Sequence, residues 1–409
     1  MGKPAVTRFA PCMLVVFACS SAPPVGAAPP DAASTPDAFE PVPPVGSIQM
    51  ADLSVLLPLA TSEADFAAYA SASTPGAHGA LLPEDLYESD GDSVQIPYDQ
   101  LRVVAIRFDP CFAQVGPIAD PASCDNQMRL VFQPLAFANG ATTAVDAGVH
   151  VSYAITRAQL VTAVNAIAAA RAQTTGDDLG PLAANPIVAA QGLTGPMAQG
   201  IAAVIASYAN PARIERITSF LVPATVGIGG TPVTWQFQGL AVAGGAATPI
   251  AIATLGGVTD QIFNASTMPL ESLPSPATTS LDNIGVLASA DEAMAATPAA
   301  RQAAYDAALR IENPGASSPN TIDCASCHTA EAARRLVGEP MFGLSSAGDP
   351  NAFAAASTIP AADLVTTTAL VTPSGVLDIH AFSYLGSAPM IDQRVVNETA
   401  ANLAYLQSL

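Results

Sequence analysis

Short apolar runs rich in β-branched and aromatic residues recur through the first two thirds of the chain. The strongest is 101–108, which Asp109-Pro110 ends and which therefore predicts a buried strand. Shorter runs of the same kind predict further strands at 54–59, 128–132, 149–153, 214–221, 233–240 and 249–254. Turn-forming residues separate these runs, so we expect each run to contribute one strand.

Apolar residues at helical spacing interrupt this series of strands. They recur every three or four positions in 156–171, where Thr156 is a candidate N-cap, and again in 196–208, before Asn210-Pro211. Strands, then helices, then strands again are typical of an α+β domain. The pattern therefore predicts one α+β domain over 48–265, and nothing in its motifs indicates a role for that domain.

The last third of the chain has a different pattern. Residues 266–290 contain several prolines and predict a connector, and helical spacing follows at 299–311, 328–336 and 393–408. We therefore expect residues 291–409 to form a second, small all-α domain.

The N-terminus has the features of an export signal. Lys3 and Arg8 precede a short apolar segment, 13–18, that is too short to span a bilayer. The sequence Val-Phe-Ala-Cys at 16–19 resembles the lipobox of bacterial lipoproteins, although Phe17 departs from the residue types usual at its position. The resemblance implies a signal peptide over 1–18 and lipid on Cys19. Cleavage of an ordinary signal peptide nearby is the alternative.

The composition bears on location and partners. Residues 19–47 are rich in proline and alanine, which predicts a disordered linker between the lipid and the folded region. The lipid implies a protein anchored in the bacterial cell envelope, at the periplasmic face or the outer membrane. The net charge of −20 argues against nucleic acid as a partner. It would favour a basic redox partner, or serve solubility alone.

Six cysteines divide among distinct expected roles. Cys12 leaves with the signal peptide and Cys19 carries the lipid. Cys111 follows the predicted strand 101–108, and Cys124 precedes the predicted strand at 128–132. A disulfide between the two cysteines would tie these strands into a hairpin, and disulfides persist in exported proteins. Two free buried thiols are the alternative for this pair.

The remaining cysteines belong to the segment Cys324-Ala325-Ser326-Cys327-His328, which has the CxxCH spacing of a c-type haem attachment site. The spacing suits the chemistry because two thiols add to the two vinyl groups of haem and the adjacent imidazole ligates the iron. A dithiol redox motif and half of a zinc site are the alternatives. No thioredoxin-like context and no further cysteines nearby support either of them. One covalent haem c is therefore expected, with His328 as the proximal ligand.

Residues 290–409 resemble class I-like cytochrome c. The resemblance rests on a helix before the motif, the CxxCH segment itself, a late methionine, and a closing helix that carries the aromatic Tyr405. It implies that a methionine sulfur is the distal iron ligand, and Met390 has the matching position. His380 is the alternative distal ligand, and an iron without a second protein ligand is a third possibility.

These observations predict a membrane-tethered mono-haem cytochrome that transfers single electrons. A peroxidase-like enzyme or a haem-based sensor with an open distal site is the alternative. His150 lies among apolar residues of a predicted strand and is interpreted as structural, and Trp235 as part of the core. Arg394, Arg334 and Arg335 are candidates for pairing with haem propionates or for solvated surface positions.

Overall fold

A nine-stranded, wholly antiparallel sheet forms the centre of the computed structural model. The structure describes residues 41–89, 96–112, 115, 124–174, 179–221, 233–265, 283–366, 369–371 and 377–409. The strands of the sheet are β1 (Ser54–Leu56), β4 (Leu101–Asp109), β5 (Gln127–Ala138), β6 (Ala141–Ala144), β7 (Ala147–Ala154), β8 (Ile214–Leu221), β9 (Val233–Ala243), β10 (Ala246–Pro249) and β11 (Asp260–Ala265). Neighbouring strands follow the order β1-β4-β5-β7-β8-β9-β10, with β6 paired to β5 and β11 paired to β9.

Two small hairpins and eleven helices surround this sheet in the described part of the chain. The hairpins are β2 (Pro75–Gly76) with β3 (Gly79–Ala80), and β12 (Phe382–Leu385) with β13 (Ala388–Ile391). The helices are α1 (Met50–Leu53), α2 (Glu63–Ala68), α3 (Glu84–Glu88), α4 (Arg157–Ala172), α5 (Pro186–Gln191), α6 (Pro196–Tyr208), α7 (Ala290–Ala295), α8 (Pro298–Glu312), α9 (Cys324–Ala332), α10 (Glu339–Phe342) and α11 (Gln393–Gln407). A π-helical turn, Ala333–Gly338, continues α9 into α10.

Alternation along the strands divides the sheet into two faces. On β7, Val149, Val151 and Tyr153 join the hydrophobic core that contains the buried sides of α4 and α6. The intervening residues, including His150, point to the opposite face. Over that face Phe220 of β8 and Trp235 of β9 join a second core with residues of α8 and α9.

Tight turns connect consecutive strands where the chain adopts positive φ. Asn139 and Gly140, between β5 and β6, have φ of 55° and 78°, and Gly244 and Gly245, between β9 and β10, have 59° and 79°. Positive φ at both central residues suits two-residue hairpins, because it matches the twist of the flanking strands. The first turn sets the register of β6 on β5, and the second sets that of β10 on β9.

The predicted fold class is wrong. Residues 291–409 are not a small all-α domain: they contain the β12–β13 hairpin, and their side chains complete both cores of the sheet. Phe382 and Tyr384 share the core of α4 and α6, and Ile379 shares the core of Trp235. The described chain is mostly β, and Val42–Leu409 pack as one compact unit.

Specific hydrogen bonds join the last elements to the sheet. Arg107 of β4 binds Glu398 of α11 at 2.8 Å, and Ser54 Oγ lies 2.8 Å from Thr399 Oγ1. The side-chain amide of Gln133 donates to the Tyr384 carbonyl at 2.6 Å and accepts from the Tyr384 amide at 3.1 Å.

The β12–β13 hairpin was not predicted from the sequence, because Gly386-Ser387-Ala388-Pro389 has the composition of a loop. Gly386, with φ of 62°, makes the turn between the two strands.

Smaller differences concern the predicted boundaries. Gly46, near the end of the predicted linker, donates to Asn165 of α4 at 2.9 Å, so the fold begins before residue 48. Ile284 and Leu287, in the predicted connector, are fully buried in the second core. The strand predicted at 249–254 is displaced, since β10 ends at Pro249 and β11 begins at Asp260.

Candidate functional site

A cavity of about 360 Å³ lies between one face of the sheet and the helices α9 and α11. The thiols of Cys324 and Cys327 and the imidazole of His328 all line it. Its apolar wall includes Val131, Phe220, Phe237, Ile250, Ile322 and Phe382. The structure thus places Cys324, Cys327 and His328 around one cavity.

The start of α9 is held by a network around Asp323. Asp323 is the N-cap: its Oδ1 accepts the Ser326 amide at 2.9 Å and its Oδ2 accepts the Ser326 hydroxyl at 2.6 Å. From β11, Gln261 donates to Asp323 at 2.8 Å and accepts the Ala325 amide at 2.9 Å. The N-cap contacts of Asp323 and the two hydrogen bonds of the Gln261 side chain together orient the first turn of α9, which carries both thiols.

His328 is positioned by one ring nitrogen, and its other ring nitrogen is available. Nδ1 lies 2.5 Å from the Ile379 carbonyl oxygen, so this nitrogen carries the proton and donates. Among the described residues Nε2 has no hydrogen-bond partner. The ring packs at 5.0 Å from Phe237 and 6.0 Å from Phe220. Burial lowers the pKa of His328 to about 4, so the imidazole is neutral, as a metal ligand must be.

The two thiols are free and protonated. Burial raises the pKa of Cys324 to about 12, with Asp323 adding to the effect, and burial raises the pKa of Cys327 to about 12. Dithiol redox enzymes depend on a thiolate with a lowered pKa. In the described chain no group of three or more His, Cys, Asp or Glu side chains is arranged to hold a metal ion by itself. These observations do not support the dithiol and zinc alternatives.

A transverse row of arginines borders the cavity. Strand pairing sets Arg107 beside Arg129, and both Arg129 and Arg216 beside Ser152. Arg107 is paired with Glu398, and Arg129 with Asp109 at 2.6 Å. Among the described residues Arg216 has only a neutral side-chain hydrogen-bond partner, the Asn320 amide oxygen, at 2.8 Å. The cavity edge thus has a cation that no described carboxylate neutralises.

Two donors at this cavity lack acceptors. Arg129 Nε and Gln238 Nε2 are buried and have no hydrogen-bond partner among the described residues, and both side chains line the cavity. Unsatisfied buried donors are rare and costly in proteins. Both side chains lie at the cavity wall beside the arginine row.

His150 also lines the cavity, from the centre of the sheet. Its strand neighbours are Val131 on β5 and Thr218 on β8. Burial lowers its pKa well below the usual value, and the positive charge of Arg129 adds to that effect. His150 is therefore a neutral imidazole at the cavity wall rather than a histidine buried in the core.

The predicted distal ligands lie elsewhere. Met390 is buried in β13 and is not among the residues that line the cavity. His380 also lies outside the lining, with Nε2 at 2.8 Å from Asp146 and Nδ1 at 2.6 Å from the Ser383 hydroxyl. The Phe220 ring lies edge-on to His380 at 4.7 Å and itself lines the cavity. His380 shares with His328 only a separate pocket of about 10 Å³, which is too small for a haem.

The other predicted site residues have separate positions. Cys111 and Cys124 form a disulfide between β4 and β5, 13 residues apart. Cys19, the predicted lipidation site, lies outside the described residues. Of the three arginine candidates only Arg394 lines the cavity; Arg334 binds Glu312 and Glu339, and Arg335 binds Glu331.

Sequence reasoning missed several residues of this site. Asp323 could have been found as an N-cap directly before the motif. The row of Arg107, Arg129 and Arg216 could not, because it depends on strand order. The alternation that made His150 look structural also placed it on the face opposite Val149 and Val151.

The chain matches no protein-family model, no curated protein and no solved structure. No helix in the described ranges combines the length and the apolar character needed to cross a bilayer. The functional argument therefore depends on the site itself.

Proposed function

We propose that this protein carries one covalent haem c in the cavity, attached through Cys324 and Cys327, with His328 as the proximal ligand. The observation that carries the proposal is the convergence of Cys324, Cys327 and His328 on one cavity, with His328 held through Nδ1 and its Nε2 without a partner among the described residues. Each free thiol adds across a vinyl double bond to form a thioether, so attachment needs no leaving group and no oxidant.

The residues around the cavity fit this group. The cavity of about 360 Å³ is smaller than a whole haem and is partly open, so a haem bound there would leave one edge exposed. Aromatic and aliphatic side chains supply walls for an apolar macrocycle. The unsatisfied Arg129 Nε and the unneutralised Arg216 supply partners for propionate carboxylates.

When bound, haem supplies one-electron chemistry between its ferric and ferrous states. The chain's own residues set the conditions for it. Ile379 holds His328 in one tautomer through the Nδ1–H bond, which also raises the basicity of the ligating nitrogen. Burial and nearby arginines tune the reduction potential. We infer that the protein is an electron carrier.

The location and partner proposals come from the N-terminal sequence and the charge. We propose that the protein is exported and anchored to the cell envelope by lipid on Cys19. The net charge of −20 supports a basic redox partner.

The experiment compares covalent haem in matched cysteine variants. The full chain is produced in a bacterium that attaches haem c, and haem is measured after acid–solvent extraction and by anaerobic redox titration. We expect wild type to retain haem and to show a reversible one-electron couple. The double variant Cys324→Ser/Cys327→Ser should lose covalent haem. The control Cys111→Ser/Cys124→Ser should retain it, because the disulfide lies outside the attachment motif. Haem that is fully extracted from wild type would overturn the proposal.

A further inference from the structure

We propose that His150 is the second axial ligand of the haem iron, so that His150 and His328 together make a bis-histidine site. The inference rests on the proposed haem attachment and adds the residue that completes the iron's coordination. It differs from the ligands expected from the sequence, Met390 and His380.

The first argument is position. His150 stands near the middle of β7, between Val131 and Thr218 of the neighbouring strands. Its side chain lies on the sheet face that carries Phe220 and Phe237, the two rings that contact His328. A haem bound in the cavity would contact residues of both α9, which carries His328, and β7, which carries His150, because both histidines line it.

The second argument is the state of the ring. In the described part of the chain neither nitrogen of His150 has a hydrogen-bond partner. His150 is half-buried and lines the cavity, so its unpaired nitrogens are available to a group bound there. Coordination of the iron through one nitrogen would give the ring a partner.

No other histidine or methionine among the described residues lines the cavity as an alternative iron ligand. Among the described residues that line it, the only histidines are His150 and His328, and there is no methionine. His380 would have to give up its contacts with Asp146 or Ser383 and pass the Phe220 ring. Met390 would have to leave β13, where it pairs with Ser383.

The fourth argument is the neighbouring charge. The row of Arg129, Ser152 and Arg216 lies on the same sheet face, two residues along β7 from His150. A haem with its iron at His150 can place propionates toward this row, where Arg129 Nε lacks an acceptor. One placement then satisfies both the unpartnered imidazole and the unpartnered guanidinium nitrogen.

Bis-histidine ligation has measurable consequences. Two imidazoles make ferric haem low-spin, and the reduction potential lies below that of a methionine–histidine site. The test measures the ferric electron paramagnetic resonance spectra, the visible spectra and the midpoint potentials of wild type, His150→Ala, His150→Met and Met390→Leu. Met390→Leu is the matched control because it replaces a buried side chain of similar volume outside the cavity.

We expect wild type and Met390→Leu to be low-spin, and His150→Ala to lose the low-spin signal and to regain it when imidazole is added. His150→Met preserves bulk if the alanine variant fails to fold, and we expect its potential to shift upward. A low-spin His150→Ala protein without added ligand, or a high-spin Met390→Leu protein, would overturn the assignment. The pyridine haemochrome spectrum of the denatured wild-type protein tests haem attachment separately. If it shows no covalent haem, the proposed attachment is wrong, and the assignment of His150 as a ligand is wrong with it.

Discussion

His328 Nδ1 lies 2.5 Å from the carbonyl oxygen of Ile379. This hydrogen bond joins the helix of the CxxCH segment to the residues that lead into β12, and it selects the tautomer whose Nε2 is free. His328 and the residue that orients its ring are thus 51 residues apart in the chain. The CxxCH segment therefore depends on distant parts of the fold for its geometry.

The two motif thiols provide a prediction for the haem-free protein. Burial raises the pKa of both Cys324 and Cys327 to about 12, and the thiolate is the form that alkylates. We expect iodoacetamide at pH 8 to label them far more slowly in the native protein than in urea, as measured by peptide mass spectrometry. Labelling should accelerate as the pH rises toward 12. Equal rates in native and unfolded protein would show that the thiols are not buried.

The ion pair between Arg107 and Glu398 predicts a pH-dependent contribution to stability. Burial alone would raise the pKa of Glu398, but Arg107 and Arg394 outweigh it and lower the pKa to about 2. Breaking a buried pair typically costs about 3–5 kcal/mol. We expect Glu398→Gln to lower the free energy of unfolding by that order at pH 7, as measured by urea titration.

The direction of the pH effect follows from the lowered pKa. Ionised Glu398 stabilises the fold fully above its unfolded pKa of about 4.3, and the contribution is lost as the pH falls through about 2. The difference in the free energy of unfolding between wild type and Glu398→Gln should therefore be equal at pH 7 and pH 5 and smaller at pH 3. The exposed Glu88→Gln is the control. A difference that grows as the pH falls would contradict this explanation.

The shared cores predict cooperative unfolding. Side chains from 291–409 complete both hydrophobic cores of the sheet, so neither part can lose its packing alone. We expect far-UV circular dichroism and the fluorescence of Trp235, the single tryptophan, to report one coincident urea transition. Two separated transitions, or a stable and cooperatively folded 48–265 fragment, would support two independent domains instead.

The charge of Arg216 predicts a shift in reduction potential. A positive charge at the cavity favours the ferrous state, because that state has one positive charge fewer. At roughly 10 Å and an effective dielectric constant of about 20, a unit charge contributes about 1.7 kcal/mol. For one electron this corresponds to about 70 mV. We expect Arg216→Gln to lower the midpoint potential by tens of millivolts, up to about this size, in low salt.

The control for this shift is Arg213→Gln, which removes an exposed arginine three residues earlier in the chain. Its potential should remain close to that of wild type. An equal shift in both variants would mean that net charge, rather than the position of Arg216, governs the potential.

Local pattern predicted much of the sheet and of its helical layer. Strands β4, β5, β7, β8 and β9 and helices α4 and α6 fall where apolar runs and helical spacing placed them. Local pattern failed at the domain level, because a short helix buries its apolar side equally well against another helix or against a sheet. The Tyr384–Gln133 contact, which docks the late hairpin on β5, spans 251 residues and leaves no local signal.

The site divides in the same way. Cys324, Cys327 and His328 lie within five residues, so their spacing predicts them as one site. The residues opposite α9 depend on the order of the strands, and the resemblance to cytochrome c favours Met390. In the structure strand residues complete the cavity, and the histidine among them is His150 on β7.

Covalent attachment of one haem is tested most directly by the intact mass of the purified, exported protein after denaturation. We expect a chain heavier by one haem group, with the added mass mapped to the peptide that contains Cys324 and Cys327. A chain without that mass, with both thiols free to alkylate after unfolding, would contradict it.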